Sequence, residues 1–470
     1  MTPDQLAAVS GNSAWMLISA ALVLLMTPAL ALFYGGLSDK RSVLNMMMMM
    51  MSFGALGMVC VAYVLWGWSM SYGTQSWGGV VANPFEFFGL RDSITDADGN
   101  YIAGASGYAN VIDIGFQLTF AVISTAIISG ALLGRVKFGT WLAFSGLWVT
   151  FVYFPLAHMV WGGGLLSHAE RSLSSWIFGT VTEAGETTAA VSPVDFAGGT
   201  VVHISAGTAA LVLAIVVGKR AGWPTKVSRP HNLPMVMTGA ALLFFGWFGF
   251  NGGSAFAADG LAGLAWLNTA AATAAAMLGW MAVEAIRDKA ATSLGAASGF
   301  VAGLVAITPA AGALTPVTSL ILGGIGGAVA CLGVGLKYTL GFDDSLDAVG
   351  VHLVAGLWGT IGLALFASEG GLLTDDAGYG VKLLIIQTVI AVVAMVFAGI
   401  VTLVIALALK YTLGWRIEDE DEAAGVDVSE HRESGYDLAA QSGMRAPATM
   451  IGSTNNSTAP TIPPRTDVKE

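Results

Sequence analysis

Asp195-Phe-Ala-Gly-Gly-Thr-Val-Val-His203-Ile-Ser-Ala-Gly207 decides how the chain is read. It sets a histidine inside a long apolar run, eight residues after an acid and among glycines and small residues. The words return later: Val202-His203-Ile-Ser-Ala-Gly207 is echoed by Val351-His352-Leu-Val-Ala-Gly356. In chain order each copy follows a Phe-x-Gly-Gly helix, Phe33-Tyr-Gly-Gly36 and then Phe250-Asn-Gly-Gly253. Ionisable groups inside apolar spans are costly and mark function. Two of them in two related halves point to one pathway through a bilayer.

Composition agrees. Of 470 residues 55% are hydrophobic and 11% charged, against about 25% charged in soluble domains. Apolar runs long enough to cross the hydrocarbon recur from Ser13 to about Leu413. They are too long and too uniformly apolar for barrel strands, so the spans are helices that satisfy their own backbone. Eleven are expected: 13–36, 43–70, 109–133, 138–160, 199–218, 233–257, 262–286, 293–312, 316–338, 349–368 and 381–413. Met1 to Asn12 carries no Lys or Arg, so the first run reads as a retained span and not a signal peptide. The fold class is an all-α membrane protein. Spans 1–5 and 6–10 form two five-helix halves; five is odd, so the halves are inverted repeats with a site at their interface. Span 11 is a long helix outside the repeat. Residues 1–413 make the membrane domain and 414–470 a tail, of which 439–470 read as disordered from their Ser, Thr, Pro and Asn content.

Loop charge sets the orientation. With the N-terminus outside, thirteen Lys or Arg fall on the cytoplasmic side, among them Arg41, Arg135, Arg220 and Lys337, and three (Arg91, Arg171, Lys382) on the other. That is a strong positive-inside bias. The net charge of −11 says little about a pore, because the tail from Gly414 holds eleven acids and five bases. Cys60 and Cys331 provide no disulfide framework.

Few residues can carry chemistry. His203 and His352 lie within spans; neutral imidazoles in a narrow apolar lumen can donate, accept and relay protons. Asp195 and Asp344 each lie eight residues before a histidine, Asp347 five before, and such acids can cap a helix N-terminus. Glu284, Asp113 and His158 lie near span ends, within reach of interfacial water, and read as structural. Zinc needs three or four ligands, which the histidines do not have around them. The run Met46 to Met51 reads as flexible apolar filling, and stripes such as Gly323-Gly-Ile-Gly-Gly327 as close helix packing. Aromatics form the second constellation. Phe116 and Phe120 share a helix face at i, i+4. Trp161 opens Trp-Gly-Gly-Gly164, and Phe250 and Ser254 belong to Gly246-Trp-Phe-Gly-Phe-Asn-Gly-Gly-Ser254. Rings at a pore mouth attract a small cation, and a serine oxygen accepts a hydrogen bond from it.

Together with Ala157-His-Met-Val-Trp-Gly-Gly-Gly164, His231-Asn-Leu-Pro-Met235 and Gly350-Val-His352, these words resemble the ammonium transporter (Amt) family from about Ser13 to Tyr436. The resemblance implies a homotrimer of eleven-helix protomers in the cell membrane, each with its own pore. It implies a recruitment site of Trp161, Phe120 and Ser254 with Phe116 nearby, stacked gate rings Phe120 and Phe250, paired pore histidines His203 and His352, and a vestibule acid, Asp195, with Asp344 as its symmetric partner. Gly425-Val-Asp…His431…Glu433…Tyr436 resembles the segment that couples protomers and contacts a PII-type signalling protein; Val426 stands where that pattern has Leu.

The expected function is transport of ammonium and methylammonium: capture at the aromatic site, deprotonation near Phe120 and Phe250, and passage of neutral ammonia, because an intact ion is expensive to desolvate. No cofactor, nucleic acid or enzyme activity is expected, since no nucleophile or metal cluster accompanies the histidines. Two alternatives are an ammonium sensor signalling through its tail, and a neutral-gas channel of the Rh type, which an intact Trp161 and Ser254 disfavour.

Overall fold

The computed structural model describes residues 3–48, 54–104, 106–225 and 229–436. Among them eleven helices are long and apolar enough to cross a membrane: Gln5–Leu37, Gly54–Tyr72, Asn110–Ala131, Phe138–Val160, Gly199–Val217, Leu233–Gly253, Gly260–Asp288, Ser293–Ala310, Pro316–Leu340, Val349–Phe366 and Ala377–Thr412. They are called spans 1 to 11. Sequence reading had their number and order. Two starts depart: span 2 begins at Gly54 and not at residue 43, with Val43–Met47 a separate short helix before it, and the helix of span 1 already begins at Pro3 and not at residue 13. In span 1 the stretch before Ser13 contains no internal proline or glycine pair to stop the helix, so the helix runs on past the apolar run. Of the methionine run, Met46 is buried and Met49 to Met51 lie outside the described residues, as do residues 439–470.

The inverted repeat is visible in which spans touch. Span 1 packs along span 6, and span 5 crosses span 10. Within the halves, contacts 1–3, 2–3, 2–4 and 3–5 are matched by 6–8, 7–8, 7–9 and 8–10. Span 11 lies against spans 4, 5 and 10, anchored where Trp148 Nε1 donates to Thr402 Oγ1 (3.1 Å) and Gln387 Nε2 donates to the carbonyls of Val194 and Thr360 (2.8 and 2.9 Å).

The Phe-x-Gly-Gly words explain the span 1–span 6 contact. A Cβ on Gly36 would sit 2.8 Å from the carbonyl oxygen of Asn232 at the start of span 6; one on Gly253 would sit 2.7 Å from Ser19 of span 1. Gly239, Gly246 and Gly249 meet the span 1 backbone between them. Each copy of the motif thus closes one end of the same antiparallel contact, and small residues permit the close approach.

Two connections on the N-terminal face, 73–109 and 161–198, are long and hold two short hairpins, Ser76–Trp77 with Val81–Ala82 and Thr180–Glu183 with Glu186–Ala189. The opposite face, called the tail face, is tied by a buried ionic knot. Arg135 and Asp343 have fully buried side chains. Arg135 donates to the carbonyls of Ala131, Gly218 and Asp343 and to Ser345 Oγ. Arg220 clamps both Asp343 oxygens at 2.8–2.9 Å. Burial pushes Arg135 down to about 10, with Asp343 opposing the shift. The tail up to Gly435 belongs to the same compact unit as the spans. Its helix Val426–His431 places Asp427, whose carboxylate accepts the N–H groups of Leu44 and Asn45 (3.0 and 2.8 Å).

Candidate functional site

The two histidine copies are built alike. Both begin as a π-helix, Gly199–Ile204 and Val349–Val354, before turning α-helical. Such segments frequently occur at functional sites. Each is capped by the acid eight residues before the histidine. Asp195 accepts four backbone N–H groups, those of Gly198 and Gly199 on Oδ1 (3.0 and 2.6 Å) and of Thr200 and Val201 on Oδ2 (3.0 and 3.2 Å). Gly198 has φ +112°, a left-handed start that favours glycine. Asp344 accepts from Ala348 (3.1 Å) and Val349 (2.7 Å). Burial raises both carboxyls, Asp195 to about 6 against its four N–H partners, and Asp344 with help from the nearby Asp347 charge.

The glycine four residues after each histidine sets the crossing. A Cβ on Gly207 would come within 2.4 Å of the Leu353 backbone nitrogen, and one on Gly356 within 3.1 Å of the His203 Cβ. Their absence of side chains lets spans 5 and 10 close until Nδ1 of His203 lies 3.3 Å from Nδ1 of His352. One ring must donate and the other accept, so the two neutral imidazoles are opposite tautomers. Among the described residues Nε2 of His203 has no partner. The surrounding lumen is narrow, ≈ 10 Å³, and apart from the histidines its walls are apolar, with Met26, Leu30, Val202 and Phe250 among them.

An aromatic column continues from the histidines to the N-terminal face. His203 stacks on Phe250 (6.2 Å, 25°). Phe250 stacks on Phe120 (4.2 Å, 23°), and Phe120 meets Trp161 edge-on at 6.1 Å and Phe116 at 4.8 Å. Above Phe120 opens a cavity of ≈ 300 Å³, lined among others by Trp161, Asp195, Ser254 and Gln117. Ser254 Oγ donates to the Phe250 carbonyl (2.8 Å), which leaves its lone pairs to accept. Trp161 Nε1 donates to the carbonyl of Asp195 (3.0 Å).

Of the residues singled out for the cation and the pore, Trp161, Phe120, Phe250, His203 and His352 form one line, with Ser254 and Asp195 on the wall of the cavity at its outer end. Phe116 is buried behind Phe120, next to Phe256 and not on the cavity wall. Both Asp195 oxygens accept backbone N–H groups, two each, so this acid caps the start of span 5 while standing on the cavity wall. Glu284 accepts from Thr292 at the start of span 8 (2.9 and 3.0 Å), Asp113 accepts from Tyr108, and His158 bridges Ser71 and Ser76. Sequence reading missed two residues. Trp247 stacks on His203 (5.5 Å, 17°) and is pinned through Nε1 to Thr308 Oγ1 (2.9 Å). Lys337, counted as a loop charge, is buried; it pairs with Asp347 and donates to the Asp344 carbonyl (3.1 Å). Its signal was its position within an apolar run, seven residues before an acid.

An inverted-repeat helical bundle with an aromatic, histidine-lined lumen at the repeat interface defines a membrane transport protein. The family model described as Ammonium Transporter Family matches residues 14–436. An ammonium transporter of Mycobacterium tuberculosis is 48% identical over 458 residues, covering 93% of this chain and 92% of its own. One of Bacillus subtilis is 44% identical, covering 91% and 98%. Among solved structures, a sensor Amt protein aligns with a TM-score of 0.78 at 27% identity (90% and 99% covered), and Mep2 of Saccharomyces cerevisiae with 0.73 at 28% (87% and 90%). The chain belongs to the ammonium transporter family; it is a multi-pass membrane protein that transports ammonium.

Proposed function

We propose that ammonium is captured as a cation in the cavity at Trp161, Phe120 and Ser254, loses its proton near Phe120 and Phe250, and crosses the lumen as ammonia past His203 and His352. The observation that carries this reading is the unbroken column Trp161–Phe120–Phe250–His203–His352. At its outer end ring faces and one serine oxygen favour a cation that donates hydrogen bonds. Further in, stacked rings and a lumen of ≈ 10 Å³ give a bare ion nothing to replace its water, and desolvation opposes it. Potassium, unable to donate, is matched at neither stage. The histidine pair then receives a neutral molecule by hydrogen bonding and holds a path for the proton. Asp195 acts on the cation through its charge and holds Trp161 through its carbonyl.

In this reading the N-terminal face is external, the tail cytoplasmic and the membrane the cell membrane, in keeping with the loop charges. A homotrimer, and a PII-type protein meeting the tail, are parts of the same reading drawn from the family resemblance. So is the partition of the chain into a membrane domain, 1–413, and a regulatory tail, 414–470. The test is ammonium-evoked current together with radiolabelled methylammonium uptake in proteoliposomes. Substrate movement with charge, blocked in Phe250→Trp and refused to potassium, is expected. Potassium current of similar size through the wild type would overturn the stated order of capture and deprotonation.

A further inference from the structure

Spans 4 and 9 occupy equivalent places in the repeat, and the end of each reaches the acid of its own half. Trp161, directly after span 4, donates through Nε1 to the Asp195 carbonyl at 3.0 Å; Lys337, in the last turn of span 9, donates through Nζ to the Asp344 carbonyl at 3.1 Å. The same repeat position therefore holds a ring that attracts cations at one mouth and a cation at the other. Lys337 also pairs with the Asp347 carboxylate; its side chain is 10% exposed and that of Asp347 33%, so the pair lies near the surface of the tail face. The lysine head is itself an alkylammonium, with three N–H donors and one positive charge.

We propose that Lys337 is a tethered ammonium that fills the tail-face counterpart of the recruitment site, so that ammonium binds far more weakly from the tail face than from the N-terminal face. This rests on the capture site proposed above. A second cation arriving at the tail-face mouth meets the lysine charge and finds the Asp344 carbonyl and the Asp347 carboxylate already engaged by it. The device does not make transport one-way. At zero potential detailed balance holds the ratio of maximum rate to half-saturating concentration equal for the two directions. A weaker tail-face site therefore raises both quantities together for outward movement. It leaves the pore unsaturated by ammonium on that side while the other mouth gathers a dilute substrate.

The experiment uses the full chain in proteoliposomes of defined orientation, with methylammonium flux measured from each face over a range of concentrations. The wild type should require about tenfold more substrate for half-saturation from the tail face, the ratio set by about 1.4 kcal/mol. The double variant Lys337→Met, Asp347→Asn removes the charge without leaving an unpaired acid. It should bring the two values within roughly threefold of each other while the N-terminal-face value stays put. Lys337→Arg should keep the asymmetry. Equal half-saturation from both faces of the wild type overturns the proposal, even if no variant folds. An asymmetry that survives in a folded double variant overturns it as well. Trp161→Leu is the separate arm: it should raise the N-terminal-face value alone, and no change there would instead sink the capture site.

Discussion

Gly207 of span 5 lies against the backbone nitrogen of Leu353 in span 10, where an added Cβ would come to 2.4 Å. Backbone cannot yield as a side-chain tip can, so Gly207→Ala must part the two helices where their histidines meet. Overpacking costs about 1–3 kcal/mol, and the larger loss is alignment. We expect thermal unfolding to shift modestly and methylammonium uptake to fall by about tenfold or more, since small displacements at a reacting centre cost about that. Gly356→Ala, with 3.1 Å to the His203 Cβ, should be milder in both measurements. Equal uptake in Gly207→Ala and wild type would show that the crossing does not control the pore.

Ser254→Ala removes the acceptor oxygen from the cavity while the rings remain. A hydrogen bond to a charged group contributes about 1.5–3 kcal/mol. The half-saturating ammonium concentration from the N-terminal face should therefore rise by about tenfold or more, with little change in maximum rate. Titration of flux against concentration separates this from a pore defect, which would lower the maximum rate instead.

The pH dependence follows from Asp195, whose carboxyl burial pushes up to about 6. Above that value the group is charged and adds its field to the cavity; below it the field is lost, so transport should decline as the pH on the N-terminal face falls through about 6. Asp195→Asn should be slow at every pH and lack that limb. The stability sign runs the other way. A value raised in the fold means that the folded protein takes the proton more readily. This group's contribution to stability is thus fully present below its unfolded value near 3.9 and is lost as pH rises through about 6. Thermal melts between pH 4 and 7 in detergent check it.

Asp343→Asn strikes the knot on the tail face. It takes from the buried Arg135 the strongest charge opposing it and breaks the ionic clamp from Arg220. Removing one member of a buried ion pair costs about 3–5 kcal/mol, so the variant should unfold at markedly lower temperature and accumulate poorly. Asp427→Ala should instead leave the melting temperature nearly unchanged and expose residues 414–435 to protease, since it removes only the cap on Leu44 and Asn45, worth about 0.5–2 kcal/mol.

Much of this architecture was legible in the chain. Span number and order follow from apolar length, and inversion follows from the odd count per half. The place of His203 opposite His352 follows from the echoed words, because matching positions in inverted repeats face one another across the axis. What did not show was which charges go inside. Arg135, Asp343 and Lys337 look like ordinary loop or span-end charges, and only long-range partners such as Ser345 and Arg220 make their burial tolerable. Asp195 was legible as an acid beside the pore, but a capping role and a ligand role share one sequence signature. Four N–H contacts show the cap. The role of Trp247 was hidden for a different reason: a tryptophan in an apolar run carries no sign of what it stacks on.

The single hydrogen shared between the two Nδ1 atoms imposes a rhythm on any proton that uses the pair. One ring holds hydrogen at Nδ1 and the other at Nε2, so a proton entering at one end and leaving at the other reverses that order. The reversed pair cannot repeat the same hop. Ring rotation would restore it in open solvent, but His203 is wedged between Trp247, Phe250 and His352. A hydrogen travelling back along the pair would only cancel the passage, so net proton movement through it waits on that wedged ring turning. A relay built this way counts in single steps, and its pace is set by recovery as much as by passage.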